Sequence, residues 1–515
     1  NGNGAPADTL PERQFGFREA WVENGEFRLN GLKTRYRMLT NPRLEHAAFA
    51  NPRAAEQYVS GLKHLNFDTV RFNPNIMMNA SSLNAREYLR ACDRLGVYNL
   101  FPMPPYDNDE MSLYREGVEK FFEHYGQYTS IIMWYTDFNT CHYQRNQDPY
   151  YLNDTEYLPE RVIPPRRKAM TAERTIRALD STREVFQHAG GNSGKIFTSM
   201  NYQSYGTPLQ EQEDWPKIWS ANHTQPLMVV ESGFPYPFQF LYFDGPKENW
   251  LFAENASRFF GDGVYRAEKR PRIRGEFFAK LTSPLLPPNY VRVSAEHYRR
   301  VLRAWRGYGV SALGDFTNLR ILFADRGLYP WHNRFFWGVD PQVKAPGVRP
   351  DSARFGEPLV DFLAPTPLAD VVRRELAPLR VFLAGKTAQF TNKDHAFTSG
   401  EAFEKSAVVI NDRTAAQTLL LRWKFSVGGS AVEEGEKTVT VEPGGIEKVP
   451  LNFTAPRVAK RTGAKIDLEV FRDGAAFDAD SMDLQIFPVR KMDFTNLAPA
   501  ALYDPQGKTA ELLDK

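Results

Sequence analysis

The stretch PLMVVESGF (226–234) decides the reading of this chain. Leu227, Met228, Val229 and Val230 form an unbroken apolar run, the pattern of a strand buried on both faces. Strands of that kind belong to parallel sheets covered by helices. Glu231 then stands at the C-terminal end of the run. In a (β/α)₈ barrel that end faces the site of chemistry, so a carboxylate there is a candidate for catalysis rather than stability. The alternative is a structural carboxylate paired with a nearby arginine at the barrel mouth.

Outward from this strand the same rhythm repeats. TRYRMLT (34–40), FDTVRFN (67–73), VYNLFPM (97–103), SIIMWYT (130–136), REVFQHA (183–189) and KIFTSMN (195–201) precede it, and GVSALGDF (309–316) follows. Between them AAEQYVSGLKHLN (54–66) places Tyr58, Leu62 and Leu65 at helical spacing. NAREYLRACDRLG (84–96) and DEMSLYREGVEKFFEHYG (109–126) each end on a glycine suited to cap a helix. Eight strands alternating with helices predict a (β/α)₈ TIM barrel over residues 27–390. The connection from about 233 to 300 is too long for a simple crossover and is expected to shape a cleft.

After Thr391 the texture changes to short alternating stretches such as SAVVIND, TLLLRWKF, KTVTVEP and AKIDLEVFRD, separated by turn residues. They predict an antiparallel, immunoglobulin-like β-sandwich over 395–490. Residues 1–12, rich in Gly, Asn and Pro, read as a flexible lead-in.

A chain of 515 residues exceeds one core and suggests two or three domains. The net charge of +2 gives no reason to expect nucleic acid or a membrane surface as partner. Cys92 and Cys141, the two cysteines, exclude a disulfide framework or a cysteine metal site. HExxH, GxSxG and phosphate-cradling glycine loops are absent from the sequence, so no metal or cofactor is expected. An aromatic content of 13% suits sugar-stacking clefts and large cores alike.

The strand ends supply the remaining candidates. Asp137 is the carboxylate nearest strand four, with Trp134 before it and Asn139 and His142 beyond. Two carboxyl groups facing each other are what glycoside hydrolysis requires, about 5–5.5 Å apart for retention and ~6.5–9.5 Å for inversion. Burial beside Trp134 and Phe138 would raise the Asp137 pKa toward that of a proton donor; otherwise Asp137 simply holds its loop. Asn139 can hold a sugar hydroxyl, and His142 is a further donor. Arg71 and Asn73 end strand two, Tyr202 follows strand six and Asp315 ends strand eight. His46 and Asp107 complete the ring. The basic run RAEKRPRIRGEFFAK (266–280) reads as a solvated face or as a recognition surface for uronic or sulfated sugar.

At this point a family resemblance enters. FGFREAWVENGEFRLNG (15–31), FDTVRFN, YLRACDRLGVYNLFP, DSTREVFQHAGGN and QPLMVVESGFP resemble segments of glycoside hydrolase family 2, the β-galactosidase and β-glucuronidase group, in order and spacing over most of 15–320. The resemblance implies a carbohydrate substrate, a periplasmic or secreted setting, and a place within a larger protein or a homo-oligomer, with residues 1–26 a remnant or linker from a preceding β-sandwich and 491–515 a linker toward a further domain. It makes Glu231 the nucleophile. The acid/base does not carry over: the family reads roughly Trp-Ser-x-Gly-Asn-Glu after a Ser-Ile-Ile strand, whereas SIIMWYTDFNT has Trp134 but no glutamate. The chain thus resembles a divergent subgroup. Two functions follow: a glycoside hydrolase with an atypical donor, or a catalytically degraded carbohydrate-binding or scaffolding subunit.

Overall fold

The computed structural model describes residues 15–40, 52–72, 85–104, 111–136, 148–152, 163–202, 207–233, 254, 256–264, 290–315, 323–325, 363–365, 367–489 and 502–513. Each of the eight expected barrel runs forms a strand. In chain order, after a short N-terminal sheet of β1 (Ala20–Glu23), β2 (Glu26–Leu29) and β3 (Leu32–Thr34), come β4 (Tyr36–Thr40), β5 (Thr69–Arg71), β6 (Tyr98–Pro102) and β7 (Ile131–Thr136). Then follow β8 (Glu184–Gln187), β9 (Phe197–Tyr202), β10 (Leu227–Gly233) and β11 (Ala312–Asp315). These last eight form one parallel sheet in the order β8-β7-β6-β5-β4-β11-β10-β9. The two end strands meet just beyond β8, where Gly191 and Thr198 exchange backbone hydrogen bonds of 3.0 and 2.9 Å, so the sheet is a nearly closed barrel.

Helices cover the outside: α1 (Pro52–His64), α2 (Arg86–Leu95), α3 (Met111–Tyr125), α4 (Ile163–Leu179), α5 (Leu209–Asp214), α6 (Lys217–Asn222), α7 (Tyr290–Gly307) and α8 (Pro367–Glu375). Helix α2 buries Tyr88, Leu89, Ala91 and Cys92 on one face. It stops at Gly96, whose φ of 73° only glycine takes without strain. Gly126 ends α3 differently, without a left-handed φ, by returning its N–H to the Phe122 carbonyl at 2.8 Å. Side chains alternate across the barrel sheet. Met38, Leu100, Ile132, Tyr135, Phe186, Met228 and Val230 fill the interior, while Val70, Phe101, Trp134, Val185, Leu227 and Val229 pack against the helices.

Residues from Ala20 to Thr34 form an antiparallel sheet made by two Asn-Gly turns, Asn24–Gly25 (φ 52° and 76°) and Asn30–Gly31 (φ 50° and 84°). Phe27 from this sheet joins the barrel-interior core, and the Val22 N–H bonds Glu184 at the start of β8 at 3.3 Å. The sheet thereby plugs the N-terminal end of the barrel. After the barrel strands, β12 (Phe323–Asp325) pairs antiparallel with β13 (Leu363–Pro365), and the first sandwich strand is β14 (Leu379–Ala384), which precedes residue 395.

β14 pairs antiparallel with β16 (Ala402–Asn411), and β16 with β19 (Ile446–Thr454). A second sheet packs on this one in the order β15 (Ala396–Thr398), β21 (Ala475–Phe487), β20 (Thr462–Arg472), β17 (Gln417–Val427), β18 (Ser430–Val441). The fold is thus a TIM barrel followed by a β-sandwich. Ion pairs hold the two together: Asp412 of the sandwich takes Arg35 at 2.7 Å and Arg306 at 2.9 Å. Burial alone would raise the Asp412 carboxyl, yet the guanidiniums around it hold it at about 2.

Candidate active site

Period-two alternation predicts the wrong direction for Glu231. Val230 points into the barrel, so the next residue should point out toward the helices. A β-bulge changes this. Along β9 the register passes from Val229↔Ser199 to Glu231↔Met200, and along β11 from Val229↔Leu313 to Ser232↔Asp315, so β10 carries one residue more than either neighbour. The extra residue turns Glu231 inward, the use to which bulges beside active sites are put. The bulge needs room: a Cβ on Gly314 would lie 2.3 Å from the Val229 carbonyl oxygen and 2.7 Å from that of Val230. Thr40 Oγ1 donates to the Val230 carbonyl at 2.7 Å, and Ser232 Oγ to that of Gly314 at 2.6 Å, which fixes the distortion.

Turned inward, Glu231 is 3% exposed and meets Arg71, which is fully buried. Arg71 Nη2 donates to Glu231 Oε1 at 2.6 Å, a charge-assisted bond from the end of strand two across the barrel mouth. His188 Nε2 stands 3.4 Å from the same oxygen. Below them the Tyr135 ring lies 5.7 Å from the Arg71 guanidinium carbon and stacks on Phe186 at 5.2 Å, its hydroxyl donating to the Phe72 carbonyl. Burial raises the Tyr135 pKa well beyond its usual value, so the phenol stays neutral. The arrangement is a buried carboxylate held in one orientation by a cation and an imidazole.

His188 comes from the residue directly after β8. The chain turns away at once through Ala189, at a left-handed φ of 50°, into the contact that nearly closes the barrel. Burial lowers the His188 pKa to about 4, helped by the Arg71 charge and opposed by Glu231, so the ring is neutral near pH 7. The folded state then refuses a proton that the unfolded chain accepts below about 6.5. Stability is unaffected above that value and falls as the pH drops toward about 4. His297 and His395, with pKa values lowered by burial to about 3 and about 4, act in the same direction. His188→Asn should shrink the stability difference between about pH 7 and about pH 4.5 by roughly 2 kcal/mol in thermal unfolding. Equal pH slopes in the two proteins would count against a neutral buried imidazole.

Of the residues singled out in the sequence, the structure brings Glu231 and Arg71 together. The backbones of Tyr202 and Asp315 lie in the same layer, opposite Gly233 and Ser232 of β10. Trp134 is a correction. It is fully buried on the outer face of β7, its indole N–H donating to Asp180 Oδ2 at 2.7 Å, with Arg183 over the ring at 5.1 Å and Phe122 at 5.2 Å. It anchors helices to the sheet and cannot stack on a sugar. His46, Asn73, Asp107, Asp137, Asn139, His142 and the basic run 266–280 lie outside the described residues. Sequence reading missed His188 and Tyr135, although His188 meets the strand-end criterion that selected Glu231. Among the described residues no cluster of His, Cys, Asp and Glu could hold a metal ion.

No family model matches the chain, and no curated protein sequence is significantly similar to it. Solved structures are similar in fold. The β-D-mannosidase of Dictyoglomus thermophilum aligns over 93% of this chain and 54% of its own, with a TM-score of 0.54 at 10% identity. The exo-chitosanase of Amycolatopsis orientalis aligns over 93% and 52%, with a TM-score of 0.49 at 16% identity. A Bacteroides uniformis β-glucuronidase aligns over 93% and 49%, at 0.41 and 13%. The chain spans about half the length of these proteins. At such identity the mannosidase likeness is one of fold, and the barrel followed by a β-sandwich expected from the strand pattern is the fold this chain has.

Proposed function

We propose that the chain is the barrel-bearing part of a glycoside hydrolase acting on a β-linked oligo- or polysaccharide, with Glu231 as nucleophile. One observation carries the reading: a bulge, at a cost in regular pairing, turns Glu231 from the helix layer into the barrel mouth and onto Arg71. In the proposed reaction the Glu231 carboxylate attacks the anomeric carbon while an acid protonates the departing glycosidic oxygen. Water then cleaves the glycosyl–enzyme ester, with the same acid acting as base. Asp137, the residue after the last of β7, is the first choice for that acid, and His142 the second. Arg71 and His188 position the nucleophile. That the similar mannosidase is named for a β-glycoside supports the linkage.

The missing glutamate in SIIMWYTDFNT favours a second reading, a barrel that binds carbohydrate without cleaving it. Aryl β-mannoside, β-glucosaminide, β-glucuronide and β-galactoside substrates separate the two. Turnover of at least one, lowered by about 10²-fold or more in Asp137→Asn, is the expected result. Glycan binding with no turnover of any substrate would establish the second reading instead. Turnover indifferent to Asp137→Asn but shifted in pH profile by His142→Ala would move the acid to His142.

A further inference from the structure

A cleft of about 320 Å³ opens where helix α7 meets the sandwich, and none of Glu231, Arg71 and His188 lines it. Its walls carry Glu213, Arg299, Arg300, Arg303, Lys393 and His395. Most of these charges are matched. Lys393 Nζ lies 2.7 Å from Glu213 Oε2, Arg303 reaches Glu375 at 3.0 Å and Asp480 at 2.9 Å, and Arg299 meets Glu296 at 2.5 Å. Asp483 also lines the cleft, from the face of β21 turned away from the sandwich core into which Leu484 packs.

Arg300 is different. Among the described residues it has no carboxylate within ion-pair distance, and its buried Nε has no hydrogen-bond partner. Its guanidinium rests 5.6 Å from the Phe259 ring. His395 Nδ1 is likewise buried without a partner, as is the second oxygen of Glu213, whose charge Lys393 already balances. Lys405 of β16 is 1% exposed, and its ammonium bonds the Asp394 backbone carbonyl rather than a carboxylate. The cleft walls thus carry four cations, Arg299, Arg300, Arg303 and Lys393, against two carboxylates, Glu213 and Asp483. The titration behaviour agrees. Burial, together with Lys405, Arg300 and Lys393, lowers His395 to about 4; burial lowers Lys405 to about 8; burial and the neighbouring arginines lower Arg300.

We propose that this cleft binds a small oxyanion group, a carboxylate, sulfate or phosphate, through the Arg300 guanidinium and the His395 imidazole. A planar guanidinium fork matches such groups, and the neutral imidazole donates from Nδ1 in the tautomer that carries its proton there. The volume suits one monosaccharide acid or a free ion. Because the ligand bridges α7 of the barrel and the segment leading into β15 of the sandwich, its binding stabilises their junction by mass action.

The test uses the full chain in buffers of matched ionic strength containing chloride, sulfate, inorganic phosphate or glucuronate, read by thermal unfolding and titration calorimetry. At about 10 mM, at least one of the three oxyanions should raise Tm beyond chloride, and its affinity should fall about ten-fold or more in Arg300→Met. Preference for glucuronate would identify a sugar acid as the ligand; preference for sulfate or phosphate would identify the free ion. Glu231→Gln should retain the effect, which separates this site from the barrel mouth. No rise beyond chloride in the wild type overturns the proposal, as does an equal rise in Arg300→Met. Should Arg300→Met not fold, Arg300→Lys keeps the charge without the fork, and unchanged affinity there overturns it equally.

Discussion

Glu231→Ala is expected to lower kcat/KM on every accepted β-glycoside by about 10⁴-fold or more, the scale on which removal of a covalent nucleophile acts. Added azide should restore turnover of an aryl glycoside with a good leaving group. The deleted side chain leaves space for a small anion at the anomeric carbon, and the product becomes a glycosyl azide of inverted configuration. The measurement is product analysis by NMR alongside rates with and without azide. A structural carboxylate makes a different prediction. Arg71 is fully buried and bonds Glu231 Oε1 at 2.6 Å, so removing the carboxylate leaves an uncompensated buried charge at a cost of about 3–5 kcal/mol. Stability should therefore fall under either reading. Rates must accordingly be compared per folded molecule: loss of stability with undiminished turnover would end the nucleophile assignment.

The strands were legible because a parallel barrel buries both faces of each, so every strand announces itself as an apolar run between turn residues. That same burial conceals which face a residue occupies. In IIMWYT nothing polar marks the phase, and β7 carries a bulge of its own, with Ile131↔Asn99 followed by Met133↔Leu100. Trp134 thus read as a rim residue when it lies in the helix layer. The strand LRVFLA (379–384) was hidden for a related reason: wholly buried and placed directly after helix α8, it looks like one more barrel strand. Only its antiparallel pairing with Ala402–Asn411 assigns it to the sandwich. At the site, position at the strand ends pointed to Glu231 and Arg71, but their contact depends on the bulge, which no spacing in the sequence reveals. His188 was passed over because GGN after it reads as a turn, and a turn is where the barrel nearly closes.

The bulge carries the second large prediction, for Gly314→Ala. The added Cβ would stand 2.3 Å from the Val229 carbonyl oxygen, 2.7 Å from that of Val230 and 2.7 Å from Thr40 Oγ1. Two of these three atoms are backbone, so moving the Thr40 side chain does not relieve the clash, and β10 must shift. Overpacking of this kind costs about 1–3 kcal/mol or more. The functional consequence should be larger than the structural one. The displaced carbonyls are those of the two residues before Glu231, and a shift of about 1 Å in a reacting group lowers rates by about 10²-fold. Gly117→Ala is the control: it lies within helix α3 with nothing near its added Cβ, and alanine there should stabilise by about 1 kcal/mol with activity unchanged. Thermal unfolding and kcat/KM per folded molecule should therefore part company for Gly314→Ala, with activity lost well beyond the fraction unfolded. If the loss of activity instead merely tracks the unfolded fraction, the bulge shapes the sheet without aiming the carboxylate. If neither changes, β10 has a way to relax that this geometry denies it.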